Sequence, residues 1–177
     1  MKKLYFTRHG QTIWNVENKI CGATDIALTD LGHAQGIALG ERIAKAGLQI
    51  DEIRYSPLMR AADTAKHIAD ITGIPCVEEI RLKEQNFGKY ESAARNDAQF
   101  QIAKKEFINH YEGGESMLQL AQRIYNLLDE LKQDDKVYLL VAHNGIARVV
   151  QSYFQDMKNE EYAAFGIDNC QLLEFEI

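Results

Sequence analysis

The sequence predicts an α/β fold built on a largely parallel sheet, and three observations carry that reading. Strand-like runs alternate with helix-like amphipathic segments along the whole chain. The run Lys136 to Ala142 (KVYLLVA) is almost wholly apolar, as a central strand covered on both faces requires. No repeat, low-complexity tract or Pro/Gly/Ser-rich linker interrupts the pattern, and only 2 prolines occur in 177 residues. That length predicts one domain spanning residues 1–177.

Each element has its own signals. Lys3 to Thr7 (KLYFT) reads as the first strand. Thr29 suits the N-cap of a helix running to about Ala46, with Gly47 at C′. Asp51 to Tyr55 is a short strand. Ser56-Pro57 predicts an N-cap followed by proline at N1, opening a helix to about Thr72 before Gly73. Its apolar stripe is Leu58, Ala61, Ala62, Ala65 and Ala69, and Arg60 lies off that stripe in the first turn. Pro75 to Ile80 reads as a third strand and Arg81 to Ser92 as an irregular charged stretch. Asn96 to Ile108 is a weakly amphipathic helix. Met117 to Lys132 places Met117, Leu120, Ala121, Ile124, Leu128 and Leu131 on one face. Gly145 to Phe154 is a helix. Gln171 to Ile177 alternates Glu174 and Glu176 with Leu173, Phe175 and Ile177, the pattern of a closing edge strand.

Composition narrows the function. The chain carries 20 basic and 26 acidic side chains, a formal net charge of −6. That argues against nucleic acid or an anionic membrane as partner. No apolar run approaches the roughly 20 residues of a membrane span, and the apolar stretch after Met1-Lys2-Lys3 ends at Arg8, too soon for an export signal. Three widely spaced cysteines (Cys21, Cys76, Cys170) form neither a disulfide framework nor a zinc motif. A reduced, cytoplasmic setting is expected, with no metal and no cofactor.

In parallel α/β sheets ligands bind beyond the carboxyl ends of the strands. The first strand runs into Arg8-His9-Gly10, and the central strand into His143-Asn144-Gly145. The second strand leads to Arg60, and the third to the loop holding Glu84. Taken singly, each has an ordinary reading: a packed histidine, a solvated helix arginine, a surface carboxylate. Together they place two imidazoles, two guanidiniums and a carboxyl on one rim. Guanidinium forks beside a helix N-terminus suit a phosphate, a neutral imidazole can attack phosphorus, and a carboxylic acid can protonate the departing oxygen. His33, His67 and His110 lack such placement and are expected at the surface.

The segment TRHGQTIWN (Thr7 to Asn15) resembles the signature of the histidine phosphatase superfamily, in its phosphoglycerate-mutase-like branch. The likeness continues through Cys21–Gln35, SPLMRAADTA (Ser56 to Ala65), LKEQNFGKYE (Leu82 to Glu91), GGES (Gly113 to Ser116) and VAHNGIAR (Val141 to Arg148), in the family's order. It implies a phosphoglycerate-mutase-like three-layer α/β/α sandwich, with a short insertion near the site at about residues 86–116. It further implies a phosphohistidine on His9, oxygens held by Arg8, Arg60 and His143, and Glu84 as acid and then base. Gln11, Thr12, Asn15, Cys21, Gly22 and Asn144 are the substrate-binding positions it marks, with Asn15 a further donor.

The chain departs from the family at Asn144, which replaces a glycine but tolerates left-handed backbone better than most residues, so that its amide can still face the phosphate while its side chain is expected to intrude on the pocket, and at Ser92, another glycine replaced. The mutases of this family carry a longer insertion between acid and second histidine, so a phosphatase acting on a small phosphorylated metabolite is expected, ahead of mutase-type transfer or a non-catalytic phosphate-binding module. The specificity segment is Asn86 to Glu115, with Phe87, Tyr90, Phe100, Phe107 and Tyr111. The apolar C-terminal edge strand offers a surface for a homodimer.

Overall fold

The computed structural model describes residues 2–177. Five strands form one sheet: β1 (Lys3–Arg8), β2 (Glu52–Tyr55), β3 (Cys76–Glu78), β4 (Tyr138–Ala142) and β5 (Leu172–Glu176), in the order β3-β2-β4-β1-β5. All pairings are parallel except β1 with β5. The described residues also form seven α-helices: α1 (Ile13–Val16), α2 (Asp30–Ala46), α3 (Met59–Thr72), α4 (Ala98–Ala103), α5 (Met117–Leu131), α6 (Asn144–Phe154) and α7 (Asn159–Ala164).

Two cores lie on opposite faces of the sheet, and strand alternation assigns residues to each. Leu4, Phe6, Tyr138, Leu140 and Ala142 pack against α5 and α6. Tyr5, Ile53, Leu139 and Val141 pack against Leu39 and Ile43 of α2 and Ala61, Ala65 and Ile68 of α3. This is the three-layer arrangement expected. A third cluster, Ile20, Phe87 and Phe100 with Tyr90 and Tyr111 against it, anchors the segment before α5.

Several boundaries differ from the sequence reading. Ser56 does not cap α3: the helix begins at Met59 with Leu58 as an uncapped N-cap residue, and Ser56 is withdrawn into the interior. The third strand shortens to Cys76–Glu78 because Glu79 accepts from Arg81 N–H and turns the chain into a 3₁₀ turn at Ile80–Leu82. The helix expected over 96–108 spans only Ala98–Ala103, opened by Asp97. The short α1 and α7 carry too few residues for a periodic signal. His33 and His67 are half-buried rather than on the surface, with ring nitrogens 2.9 Å apart between α2 and α3. Among the described residues no helix is long and apolar enough to cross a membrane.

Candidate active site

Register builds the centre of the site. Arg8 of β1 pairs with Ala142 of β4, and His9 N–H donates to Ala142 O at 3.0 Å. The next residues, His9 and His143, therefore leave the sheet side by side, with ring centroids 5.2 Å apart. On the other side of β4, Ser56 N–H donates to Val141 O at 3.1 Å, bringing Ser56 Oγ to 2.7 Å from His143 Nε2. Ser56 Oγ also accepts from Leu58 N–H, and in the tautomer in which its hydroxyl donates to Nε2, His143 Nδ1 carries the N–H. That Nδ1 and Arg8 Nε are the buried side-chain nitrogens without a partner among the described residues. Such orphaned groups are what a bound anion satisfies.

His9 Nδ1–H donates to Gly10 O at 2.6 Å, which directs the lone pair to Nε2. Arg60 Nε–H lies 3.3 Å from that nitrogen. Arg60 has no exposed surface, and its plane is set by two carbonyls: Thr24 O accepts from Nη1 at 2.8 Å and Gly22 O from Nη2 at 2.7 Å. Glu91 holds that 22–24 loop, accepting from Gly22 N–H, Ala23 N–H and Thr24 Oγ1–H at 2.7–3.1 Å. Thr64 accepts from Gly10 N–H at 3.0 Å and donates to Arg60 O at 2.8 Å, tying α3 to the loop after β1.

Glu84 is buried, its two oxygens accepting from Gln85 N–H and Gly145 N–H, each at 2.9 Å. Only glycine permits this approach, since a Cβ at Gly145 would lie 2.4 Å from Glu84 Oε1. Burial raises the Glu84 carboxyl above its ordinary range despite those two donors. Burial, then the charges of Arg60 and Arg8, holds the His9 imidazole well below its usual value. His143 is depressed by burial, Arg60 and His9. Burial also brings Arg8 down to about 10. Burial thus opposes charge on both imidazoles and on the carboxyl.

Glu84 also lines a cleft of about 220 Å³ with Ile20, Cys21, Phe87, Phe100 and Asn144. Three cations line it too, Arg95, Lys104 and Arg148, and among the described residues none is in an ion pair. Burial lowers Arg95 and Lys104, and Arg148 lowers both further.

The other marked positions divide. Cys21 and Asn144 reach the cleft; burial raises the Cys21 thiol to about 11. Gly22 serves Arg60 through its carbonyl. Gln11 bonds Thr29, while Thr12 caps α1 in a reciprocal pair with Asn15. Asn15 Oδ1 accepts from Thr12 N–H at 2.9 Å. Asn144 corrects the sequence reading: it opens α6 in ordinary helical backbone, and Oδ1 accepts from Ile167 N–H at 2.9 Å, so its side chain is a tethered wall of the cleft. Ser92 does adopt the left-handed conformation, with φ 68°. Sequence reasoning assigned no role to Ser56 beyond capping and none to Arg95, Lys104 or Arg148. Arg148, one helical turn after Asn144, was accessible from periodicity; Arg95 and Lys104 follow no periodic pattern.

The family model described as histidine phosphatase superfamily (branch 1) matches residues 4–177. A curated Yersinia pestis (strain Pestoides F) protein named "Probable phosphoglycerate mutase GpmB" is 33% identical, covering 97% of this chain and 83% of its own. Mycobacterial glucosyl-3-phosphoglycerate phosphatase in complex with VO3 superposes with a TM-score of 0.85 at 27% identity, over 98% of this chain and 90% of that one. Its complex with inorganic phosphate gives a TM-score of 0.80 at 26% identity, over 98% and 89%. The chain belongs to the histidine phosphatase superfamily.

Proposed function

We propose that this histidine phosphatase superfamily member is a metal-independent phosphomonoesterase that works through a phosphohistidine on His9. The observation that carries the reading is the state of the centre: an imidazole with its lone pair directed to Nε2, a guanidinium nitrogen 3.3 Å from it, and a buried carboxyl held toward its protonated form.

Attack by His9 Nε2 forms the N–P bond as the ester P–O bond breaks, and Glu84 gives its proton to the departing alkoxide. The Nδ1–H bond to Gly10 O supports the positive charge that develops on the ring. Arg8, Arg60 and His143 Nδ1–H hold the phosphoryl oxygens, so preorganised donors stabilise the transition state. In the second half, Glu84 takes a proton from water as its oxygen attacks phosphorus and the N–P bond breaks, releasing phosphate and restoring His9.

The unpaired cations of the cleft favour a small ester whose alcohol carries a second anionic group, with Phe87 and Phe100 receiving its apolar part. A second reading, transfer back to a phosphoglycerate, is favoured by the same cations and by the mutase name of the 33% identical relatives. The test is phosphate release from p-nitrophenyl phosphate in EDTA. Wild type is expected to turn over, and His9→Ala to lose at least about 1,000-fold. Equal activity in the two proteins rejects His9, and phosphoglycerate isomerisation faster than phosphate release rejects the hydrolase.

A further inference from the structure

The segment between α7 and β5 crosses the reacting centre as a strap. Phe165 O accepts from Arg148 Nε–H at 2.7 Å, and Ile167 N–H donates to Asn144 Oδ1 at 2.9 Å. Ile167 O then accepts from Arg8 Nη1–H at 2.8 Å. Beyond it, Asn169 Nδ2–H donates to His9 O at 2.8 Å and Cys170 N–H to Arg8 O at 3.0 Å. The Arg8 guanidinium makes no other side-chain hydrogen bond among the described residues, and its Nε is orphaned and buried. Its orientation therefore rests on one carbonyl. Ile167 N–H, on the preceding peptide, donates to Asn144, while the peptide that bears the carbonyl gives its own N–H, that of Asp168, to Gln171 Oε1 at 2.9 Å.

We propose that Asn144 is a positioning residue that acts through Ile167 to aim Arg8 at the phosphoryl group. Asn144 touches the cleft with the same side chain, so it links the wall that meets the leaving group to the arm that holds the phosphate. The role is specific to a residue with a side-chain acceptor: a glycine here leaves Ile167 N–H without this partner. Gly166 belongs to the same device. A Cβ there would meet Asn144 Nδ2 and Oδ1, each at 3.2 Å, and Asn144 Cγ at 3.7 Å as its three nearest atoms.

This rests on the phosphate-binding part of the proposed function, so the experiment reads binding apart from turnover. Inorganic phosphate is titrated into wild type, Asn144→Ala, Gly166→Ala and the double variant by calorimetry, with kcat and KM for p-nitrophenyl phosphate measured alongside. Asn144→Ala is expected to weaken phosphate binding about tenfold and to lower kcat more than it raises KM, the size of one hydrogen bond to a charged clamp. Gly166→Ala should lose severalfold by crowding Asn144. In the double variant the second change should add nothing, because the atoms it meets are gone. Thermal melts identify any variant that has lost its fold.

Phosphate affinity of folded Asn144→Ala within twofold of wild type overturns the proposal, as do fully additive losses in the double variant. Absence of phosphate binding in wild type overturns both this inference and the reading beneath it. Asn144-dependent binding without ester hydrolysis sustains the inference and rejects the hydrolase alone.

Discussion

The reacting centre and the mouth of the cleft are built in opposite ways. At the centre, His9, His143 and Arg8 issue from the ends of paired strands, so that the sheet fixes where their backbones lie, and are nearly or wholly buried. At the mouth, Arg95 and Lys104 come from irregular chain and the end of a six-residue helix, are half-buried, and stand among aromatic rings without ion-pair partners. The first region is held by many short-range constraints, the second by packing of a small cluster. On the proposed function, chemistry that needs ångström-level placement falls to the sheet rim, and recognition of the variable part of a substrate falls where sequence change costs least.

The comparison is sharpened most by Glu84, which belongs to the centre. Glu84→Gln is expected to slow alkyl phosphates by about 100-fold or more and activated aryl phosphates far less, because good leaving groups need little protonation. Stability should also fall by about 1 kcal/mol, since one amide NH₂ must face a backbone N–H that now donates to the carboxyl. Equal slowing of both esters would remove Glu84 from the acid role.

Next comes the mouth. Hydrolysis of 3-phosphoglycerate is expected to exceed that of glycerol 3-phosphate about tenfold at low salt, and Arg95→Gln or Lys104→Gln should bring the ratio towards unity. A ratio near one in wild type would leave the cations without a role in recognition.

The pH profile follows. If both groups titrated as in free peptides, no more than about 1% of molecules would hold a neutral His9 and a protonated Glu84 together at any pH. The centre shifts them in opposite directions, His9 down and Glu84 up, which opens that window. The rate should fall on the acid side with a midpoint below 6.5, as His9 protonates, and on the alkaline side as Glu84 ionises above its ordinary value of 4.5. An acid midpoint at or above 6.5 would contradict the buried, guanidinium-flanked imidazole. Stability responds with a defined sign as well. The unfolded chain takes up protons on His9 and His143 near 6.5 that the folded chain refuses, so stability declines as pH drops below that value.

The smallest effect tests the mouth's framework. Ser92 occupies left-handed backbone, so Ser92→Gly should stabilise by about 1 kcal/mol and raise Tm by about 2–4 °C without altering the centre.

The same contrast governs what sequence alone reveals. The strands, α2, α5 and α6 announce themselves because burial on both faces or on one helical stripe leaves a period in the residues. The five central residues follow from strand ends, so their positions are legible once the strands are. Ser56 is misread because Ser-Pro is an ordinary cap signal, whereas here the hydroxyl is spent on His143 across the sheet. The tether from Asn144 to Ile167 joins residues 23 positions apart in an irregular segment, and no local pattern encodes it. Arg95 and Lys104 share that difficulty, since convergence on a cleft from non-periodic chain appears only in three dimensions.

β1 lies between β4 and β5, so the strand that leads to His9 is flanked by elements encoded about 130 and about 170 residues later in the chain. During translation at about 5–20 residues per second, His9 and Arg8 spend many seconds outside the ribosome before their partners exist. A nascent chain that ends between His143 and Phe165 contains Arg8, His9, Arg60, Glu84 and His143 and lacks both the carbonyl that orients Arg8 and the amide that holds His9 O. Those contacts therefore arrive only with the last part of the chain to be made, and a messenger cut short in that region yields a polypeptide with the five residues and without the contacts that orient Arg8 and hold His9 O.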